Sequence, residues 1–331
     1  MSKGEGMQWP VIGHEWAVAQ LARALHYGRT RHAYLFTGPE QIGKTTLAHT
    51  FAAALNCTGP TPPCGQCRAC TLIARNGHPD LTVVEAETAG GSLKIDQVRA
   101  LQQTLALRPF EARYRVAILL DFHLANPAAA NALLKTLEEP SPGVVLLLTA
   151  TSADLLLPTI VSRCQLLHLH PLPIQTVRAA LEQHFAADPE TAQTLAQLSG
   201  GRIGWAIRAL TDPAALDQRQ EALATLDSIL AANRRERFAL AERLALGKSG
   251  LLDVLTIWQG FWRDVLLVAS GSRSPITNYD RAGQIAALAQ AAGREQAERA
   301  LAATTRTLDF LGKNANTRLT LDVLVLDYPS A

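Results

Sequence analysis

The chain has 331 residues and a formal net charge of +2. That length suits two or three domains with sizeable buried cores. Near-neutrality excludes a polycation that wraps nucleic acid along its whole surface and leaves only a local basic face open. Arg outnumbers Lys, and Ala and Leu dominate the apolar residues, so helices should exceed strands over much of the chain. Met1 to Gly6 is short and polar, without an apolar core of signal-peptide length. No uninterrupted apolar run has the length of a bilayer span, and the expected location is the cytoplasm. Four of the five cysteines are clustered, which suits a metal site in a reducing compartment better than a disulfide framework.

Trp9 to Gly28 reads as an entry turn at Pro10 and Gly13, then an amphipathic helix with Val18, Leu21, Ala22 and Leu25 on one side. The apolar run Ala33 to Phe36 follows as a strand. It leads into Gly38-Pro39-Glu40-Gln41-Ile42-Gly43-Lys44-Thr45, and a helical run starts at Thr46 and reaches Leu55. This is G-x-x-x-x-G-K-[ST] in its proper setting of strand, loop and helix. Glycines let the backbone turn so that successive N–H groups converge on phosphate oxygens, and the helix N-terminus adds partial positive charge. Lys44 is placed for the terminal phosphates and Thr45 for Mg²⁺. Gly38, Gly43, Lys44, Thr45 and Thr46 are therefore the nucleotide-binding candidates, for ATP or ADP with Mg. The alternative is a glycine turn beside a surface lysine.

Cys57, Cys64, Cys67 and Cys70 come next, in a Pro/Gly-rich segment read as one short loop. C-x₂-C-x₂-C with a fourth thiol nearby predicts a closed tetrahedral Cys₄ zinc site of structural type; buried or redox cysteines without metal are the alternative. His78-Pro79-Asp80 reads as a turn before the strand Leu81 to Val84. Gly90-Gly91 is a link, and Ile95 to Leu107 has helical period through Val98, Leu101 and Leu105. The buried strand Val116 to Leu120 ends in Asp121-Phe122-His123. A P-loop ATPase needs two carboxylates there, one for Mg²⁺ and one to orient water. Only Asp121 is present. It stands in the second place with Leu120 in the first, or it takes the metal role with Phe122 replacing the base; either way the hydrolytic set is incomplete. His123 is a conceivable substitute base, although a histidine at a strand end is more often a hydrogen-bonded structural residue.

Pro127 to Leu137 is helical and closes on Glu138-Glu139-Pro140, and Val144 to Thr149 is a further buried strand with hydroxyls at Thr149 and Thr151. Continuous apolar strands alternating with helices predict an α/β fold with a parallel sheet covered on both faces. Its carboxyl edge would carry the phosphate loop and Asp121. Pro158 opens a short helix reaching Ser162-Arg163-Cys164, where Arg163 reads as a surface residue or a local helix partner. Pro171 and Pro173 mark a boundary after the strand Leu166 to Leu169. A small helical module from Ile174 to about Leu210 is broken at Gly200-Gly201. Beyond Pro213 the chain is helical, with a core stripe at Trp258, Phe261, Trp262, Val265 and Leu266 and a loop from Ser270 to Pro275.

Several segments together resemble a known family. They are His32 to Phe36, the loop, the four cysteines, Ala130-Asn131-Ala132-Leu133-Leu134-Lys135-Thr136-Leu137-Glu138-Glu139-Pro140, and Ser162-Arg163-Cys164. The combination is similar to the bacterial clamp-loader AAA+ subunits of DNA polymerase III, the delta-prime and tau/gamma subunits. Gly201 to Ala206 resembles the second-module signature, and Asn314 to Leu319 the last collar helix. The resemblance implies a RecA-like AAA+ module with its zinc module over residues 1–170 and 57–70, a helical lid over 171–212 and an all-α collar over 213–331. It implies that Arg163 enters the ATP site of a neighbouring subunit, that Thr149 or Thr151 senses the γ-phosphate, and that Glu138 and Glu139 lie in a segment of subunit contacts. It further implies a hetero-pentamer with tau/gamma and delta subunits, acting on the sliding clamp and primed DNA, with no membrane involved.

Departures from the tau/gamma pattern favour the delta-prime type. Leu120 replaces one carboxylate, Trp205 falls where an arginine would, and the chain stops soon after the collar. The expectation is a subunit that binds nucleotide without efficient turnover and supplies Arg163 in trans. The rivals are an active gamma-type motor and a zinc-bearing nucleic-acid binder, the latter predicting tight, salt-sensitive DNA binding by the monomer.

Overall fold

The computed structural model describes residues 9–88, 91–247, 250–312 and 315–329. Met1 to Gly6, Gly90 and Asn314, read above as a polar start, part of a link and the start of the last signature, lie outside the described residues. Contacts divide the chain into two units, residues 1–180 with 201–205, and residues 181–200 with 206–331.

The first unit is built on five parallel strands in the order β2-β3-β4-β1-β5. These are β1 (Ala33–Thr37), β2 (Leu81–Val84), β3 (Arg115–Leu119), β4 (Val144–Ala150) and β5 (Gln165–His168). Its helices are α1 (Glu15–His26), α2 (Lys44–Asn56), α3 (Arg68–Ala74), α4 (Ile95–Leu105), α5 (Pro127–Glu138) and α6 (Pro158–Val161). The central strands β1, β3 and β4 are buried along their whole length, and the period-2 rule sends alternate residues to opposite faces. Tyr34 and Phe36 join Val116, Ile118, Val145 and Leu147 in a cluster with Leu21 of α1 and Leu47 and Phe51 of α2. Ala33 and Leu35 join Ala117, Leu119, Leu146 and Leu148 in a second cluster with Val98 and Leu101 of α4 and Leu133 and Leu137 of α5. The sheet is thus covered on both faces, as its uninterrupted apolar strands require.

Local chemistry sets the helix ends. Asn126 Oδ1 accepts from the Ala129 N–H and Pro127 occupies the first turn of α5. One sequence reading needs correction here. The cysteines do not share a single loop, because Cys70 lies inside α3, whose buried face carries Ala69, Cys70 and Ile73.

The chain passes between the units within α7 (Ile174–Phe185), returns after α8 (Pro189–Leu198), and leaves the first unit again within α9 (Ile203–Thr211). The rest of the second unit is helical: α10 (Ala214–Ala231), α11 (Arg234–Leu246), α12 (Leu251–Ala269), α13 (Ala282–Gly312) and α14 (Thr317–Asp327). Trp258, Phe261, Trp262 and Val265 are fully buried, so the stripe read from the sequence is core, packed with Leu226, Leu255, Ala300 and Leu321. Arg237 is buried and pairs with no carboxylate among the described residues. Its guanidinium donates to the carbonyls of Leu230, Val325, Tyr328 and Pro329, closing the C-terminal ends of α10 and α14 together. Among the described residues no helix is long and apolar enough to cross a membrane.

Candidate functional site

The glycine loop joins β1 to α2 at the carboxyl edge of the sheet. Gly38 has φ +144°, and a Cβ there would stand 2.4 Å from the Leu169 carbonyl oxygen, so only glycine fits. Several of the loop's carbonyls are engaged. Lys44 Nζ donates to the carbonyls of Gly38 at 2.7 Å and Pro39 at 2.8 Å. The Gly204 N–H donates to the Gln41 carbonyl at 2.7 Å, and His14 Nε2 lies 3.0 Å from the Ile42 carbonyl. At Gly204 a Cβ would come within 2.8 Å of the Gln41 oxygen, so this approach also requires glycine.

Gly43, at φ +107°, caps α2. The N–H groups of Lys44, Thr45 and Thr46 therefore form the first turn, where no intrahelical acceptor exists. Thr45 and Thr46 are exposed, whereas Lys44 is buried. Burial lowers the Lys44 ammonium below its ordinary pKa, opposed by the nearby carboxylates of Asp121 and Glu40. Converging donors, a lysine and two open hydroxyls make a set that fits a polyphosphate with its metal.

Asp121 stands two residues beyond β3, exposed, in the left-handed region at φ +44°. Its N–H donates to Thr149 Oγ1 at 2.8 Å, which ties the end of β3 to the end of β4. Of the two hydroxyls considered there, Thr149 is the one that is buried and engaged. Leu120 is half-buried and its N–H pairs with the Val84 carbonyl. The carboxyl end of β3 thus carries one carboxylate.

Among the described residues the buried Nδ1 of His123 has no hydrogen-bond partner. Burial pushes its pKa down, the Asp121 charge raises it and Lys44 lowers it. Its electrostatic neighbours are thus the loop lysine and the single carboxylate.

Arg163 follows α6 at the surface. Its guanidinium donates to the Thr159 carbonyl and to Glu138 Oε1, each at 2.8 Å. The local-partner reading thus describes its contacts within the chain. Glu138, at the end of α5, is what holds it. With side chains 34% and 51% exposed, such a pair contributes about 1 kcal/mol or less. Trp205, at the start of α9, is buried.

The Sγ atoms of Cys57, Cys64, Cys67 and Cys70 all lie within 4.8 Å of one another. Zn–S bonds of about 2.3 Å place tetrahedral sulfurs about 3.8 Å apart, so the cluster is compatible with zinc. The N–H groups of Gly59 and Cys64 point at Cys57 Sγ, and that of Cys67 at Cys64 Sγ, all at 3.3 Å, which suits thiolates. Elemental analysis of the purified chain should return about one zinc per chain, and Cys67→Ser should abolish it. Hydrogen exchange over residues 57–74 should then quicken; zinc retained in full by the variant would remove Cys67 from the ligand set.

The chain is similar over part of its length to known proteins. A family model described as DNA polymerase III, delta subunit, matches residues 13–173. The delta-prime subunit of Pseudomonas aeruginosa is 43% identical over 176 residues, which is 51% of this chain and 53% of that protein. The tau subunit of Escherichia coli is 37% identical over 211 residues, 62% of this chain and 32% of that protein. The gamma/tau subunit of Mycobacterium tuberculosis is 35% identical over 251 residues, 75% of this chain and 41% of that protein. The chain therefore spans between about a third and about a half of the length of these relatives. Among solved structures, a DNA polymerase III gamma subunit-related protein from Thermotoga maritima aligns over 93% of this chain and 97% of that one, at 16% identity and a TM-score of 0.40.

Proposed function

We propose, on the premise that residues 13–173 belong to the DNA polymerase III delta-subunit family, that the chain is a delta-prime-type subunit of the bacterial clamp loader. In this reading it is a cytoplasmic member of a hetero-pentamer with tau/gamma and delta subunits, and the assembly places the sliding clamp on primed DNA. Residues 1–170 serve as the nucleotide module, 171–212 as a lid and 213–331 as the collar. A structural zinc on the four cysteines fixes the segment between α2 and α3. ATP or ADP with Mg²⁺ sits on the first turn of α2, with Lys44 exchanging its loop carbonyls for phosphate and Thr45, Thr46, Asp121 and Thr149 around it. The bound Mg²⁺ would neutralise phosphate charge.

The single observation that carries the delta-prime choice is the lone carboxylate after β3. Leu120 cannot ligate a metal, and Asp121 cannot both hold Mg²⁺ and orient water. The rival reading, an active gamma-type motor, draws support from the greater share of the chain that the tau/gamma relatives match, 62% and 75% against 51%. Steady-state hydrolysis separates the two. The isolated chain should turn over ATP at background, and Lys44→Ala should leave that background unchanged. Substantial turnover that Lys44→Ala abolishes would assign the chain to the motor class. Tight, salt-sensitive binding of primed DNA by the monomer would instead favour the zinc-bearing nucleic-acid binder.

A further inference from the structure

β5 is an edge strand of the sheet, and its ladder with β1 continues one residue further, where the Leu169 N–H donates to the Thr37 carbonyl at 2.7 Å. Strand alternation then sorts the side chains. Leu167 and Leu169 are fully buried, whereas His168 and His170 are exposed. The two imidazoles stand together, with ring centres 4.5 Å apart and planes at 84°. His168 lies opposite Thr37 in the parallel register with β1, and its Nδ1 is 2.9 Å from Thr37 Oγ1. Thr37 is fully buried, so its hydroxyl is a fixed partner for the ring.

This spacing has a meaning in coordination chemistry. Imidazole nitrogens bind first-row divalent ions at about 2.1 Å, which puts each ring centre about 3.2 Å from the metal. Neighbouring ligands at about 90° then have ring centres about 4.5 Å apart, against about 5.2 Å at tetrahedral angles. The observed separation matches the square-planar or tetragonal arrangement that Ni²⁺ and Cu²⁺ adopt with nitrogen and oxygen donors. The Thr37 contact supplies a second mark of a ligating histidine. With Nδ1–H donating to the Thr37 oxygen, Nε2 keeps its lone pair and the ring is held in one orientation. His14 is an electrostatic neighbour of His170, but it is buried with its Nε2 at the Ile42 carbonyl. Among the described residues only the four cysteines bring three or more metal-binding side chains together. The histidines are therefore a pair, with the other positions of an ion left open.

We infer that His168 and His170 bind one divalent transition-metal ion of the Ni²⁺ or Cu²⁺ kind, with Thr37 orienting the first of the two ligands. The choice of ion follows from the donors. Soft thiolates in a closed set of four suit zinc, whereas two imidazoles with open positions suit ions that favour nitrogen and accept water beside it. Both rings are exposed, so an ion reaches them without any opening of the fold. This site goes beyond the clamp-loading reading and does not depend on it.

The test uses the full chain, incubated with zinc and dialysed, then titrated with NiCl₂ in a calorimeter. Ni²⁺ is the probe because Cu²⁺ would oxidise the thiols of the cysteine cluster. It should bind with the zinc content of the protein unchanged by elemental analysis. His168→Asn and His170→Asn, both at the surface, should each weaken it at least about tenfold. Thr37→Val should weaken it by about 10–100-fold, the range for losing a residue that orients a metal-bound histidine. His184→Asn, an exposed histidine on α7, should leave it unchanged. In proton NMR, paramagnetic Ni²⁺ should broaden the ring C–H signals that His168→Asn and His170→Asn remove, and spare the signal of His184. Neither measurement involves nucleotide or partner subunits, so failure here is distinct from failure of the functional proposal. No binding at millimolar Ni²⁺, an affinity indifferent to both histidine variants, or Ni²⁺ entering only as zinc leaves would each overturn the site. Unchanged affinity in Thr37→Val would overturn the orienting role of Thr37.

Discussion

Arg163→Ala in the assembled complex is expected to slow ATP hydrolysis at the neighbouring subunit's site by roughly 10³-fold or more, the effect of removing an arginine supplied in trans to a transferring phosphoryl group. The measurement needs an assembly whose other sites are silenced by alanine in place of their loop lysines, so that one site is read. Assembly itself, followed by size-exclusion chromatography with light scattering, should be unchanged. Arg163→Lys should restore little, because a point charge lacks the planar fork that spans two oxygens. The intrachain contacts are compatible with the proposed role. Glu138 and the Thr159 carbonyl hold the guanidinium at the surface, and an exposed pair is released at a cost of about 1 kcal/mol or less. Unchanged hydrolysis at that single site would remove Arg163 from any role next door.

Asp80→Ala should destabilise the first unit by about 3–5 kcal/mol, the range for stripping one partner from a buried charge pair. Asp80 and Arg115 are 1% and 6% exposed and lie 3.0 Å apart, and three further backbone donors converge on the carboxylate. The substitution leaves a guanidinium and three N–H groups without their acceptor. Asp80→Asn should cost less, since its amide oxygen still accepts. The pair also sets an acid limit. Burial raises the carboxyl's pKa, but the N–H groups of Phe110, Glu111 and Ala112 and the Arg115 guanidinium outweigh it and hold the group below the usual carboxylate range. A depressed folded pKa means that this contribution is complete above the unfolded value of about 3.9 and is lost as pH falls through the lowered one. Denaturant midpoints taken from pH 7 down to pH 2 should fall at the acid end in the natural chain and fall less in Asp80→Asn. Hydrogen exchange in β2 and β3 reports the same unit directly. Equal acid sensitivity in both proteins would place the acid limit elsewhere.

These two residues differ in how readable they were. Arg163 has no local signature of its own, being one arginine after a short helix, and it gained meaning only from the company of the other segments. Asp80 was read as the end of a His-Pro-Asp turn. Its partners are Arg115 and the backbone of residues 110–112, some thirty residues on, and no spacing rule links them. The same reason hid Arg237, whose acceptors lie up to 92 positions away at the chain's far end. It also hid the unpartnered nitrogen of His123. Side chains that act through distant backbone groups leave no periodicity behind.

What the sequence determined by itself is the alternation of helices with continuous apolar strands, the glycine loop between β1 and α2, the gathering of four thiols and the single carboxylate, Asp121, after β3. Each is written in neighbours close along the chain: hydrophobic period, glycine conformation, ligand spacing. The tertiary structure decided the rest. It set the strand order, brought the Asp121 N–H onto Thr149, laid Gly204 against Gln41, parked Arg163 on Glu138 and placed Cys70 on a helix rather than in a loop. The Asp121–Thr149 and Gly204–Gln41 contacts join positions that only packing of the sheet and its helices brings within hydrogen-bond reach, where a backbone group would otherwise lack a partner.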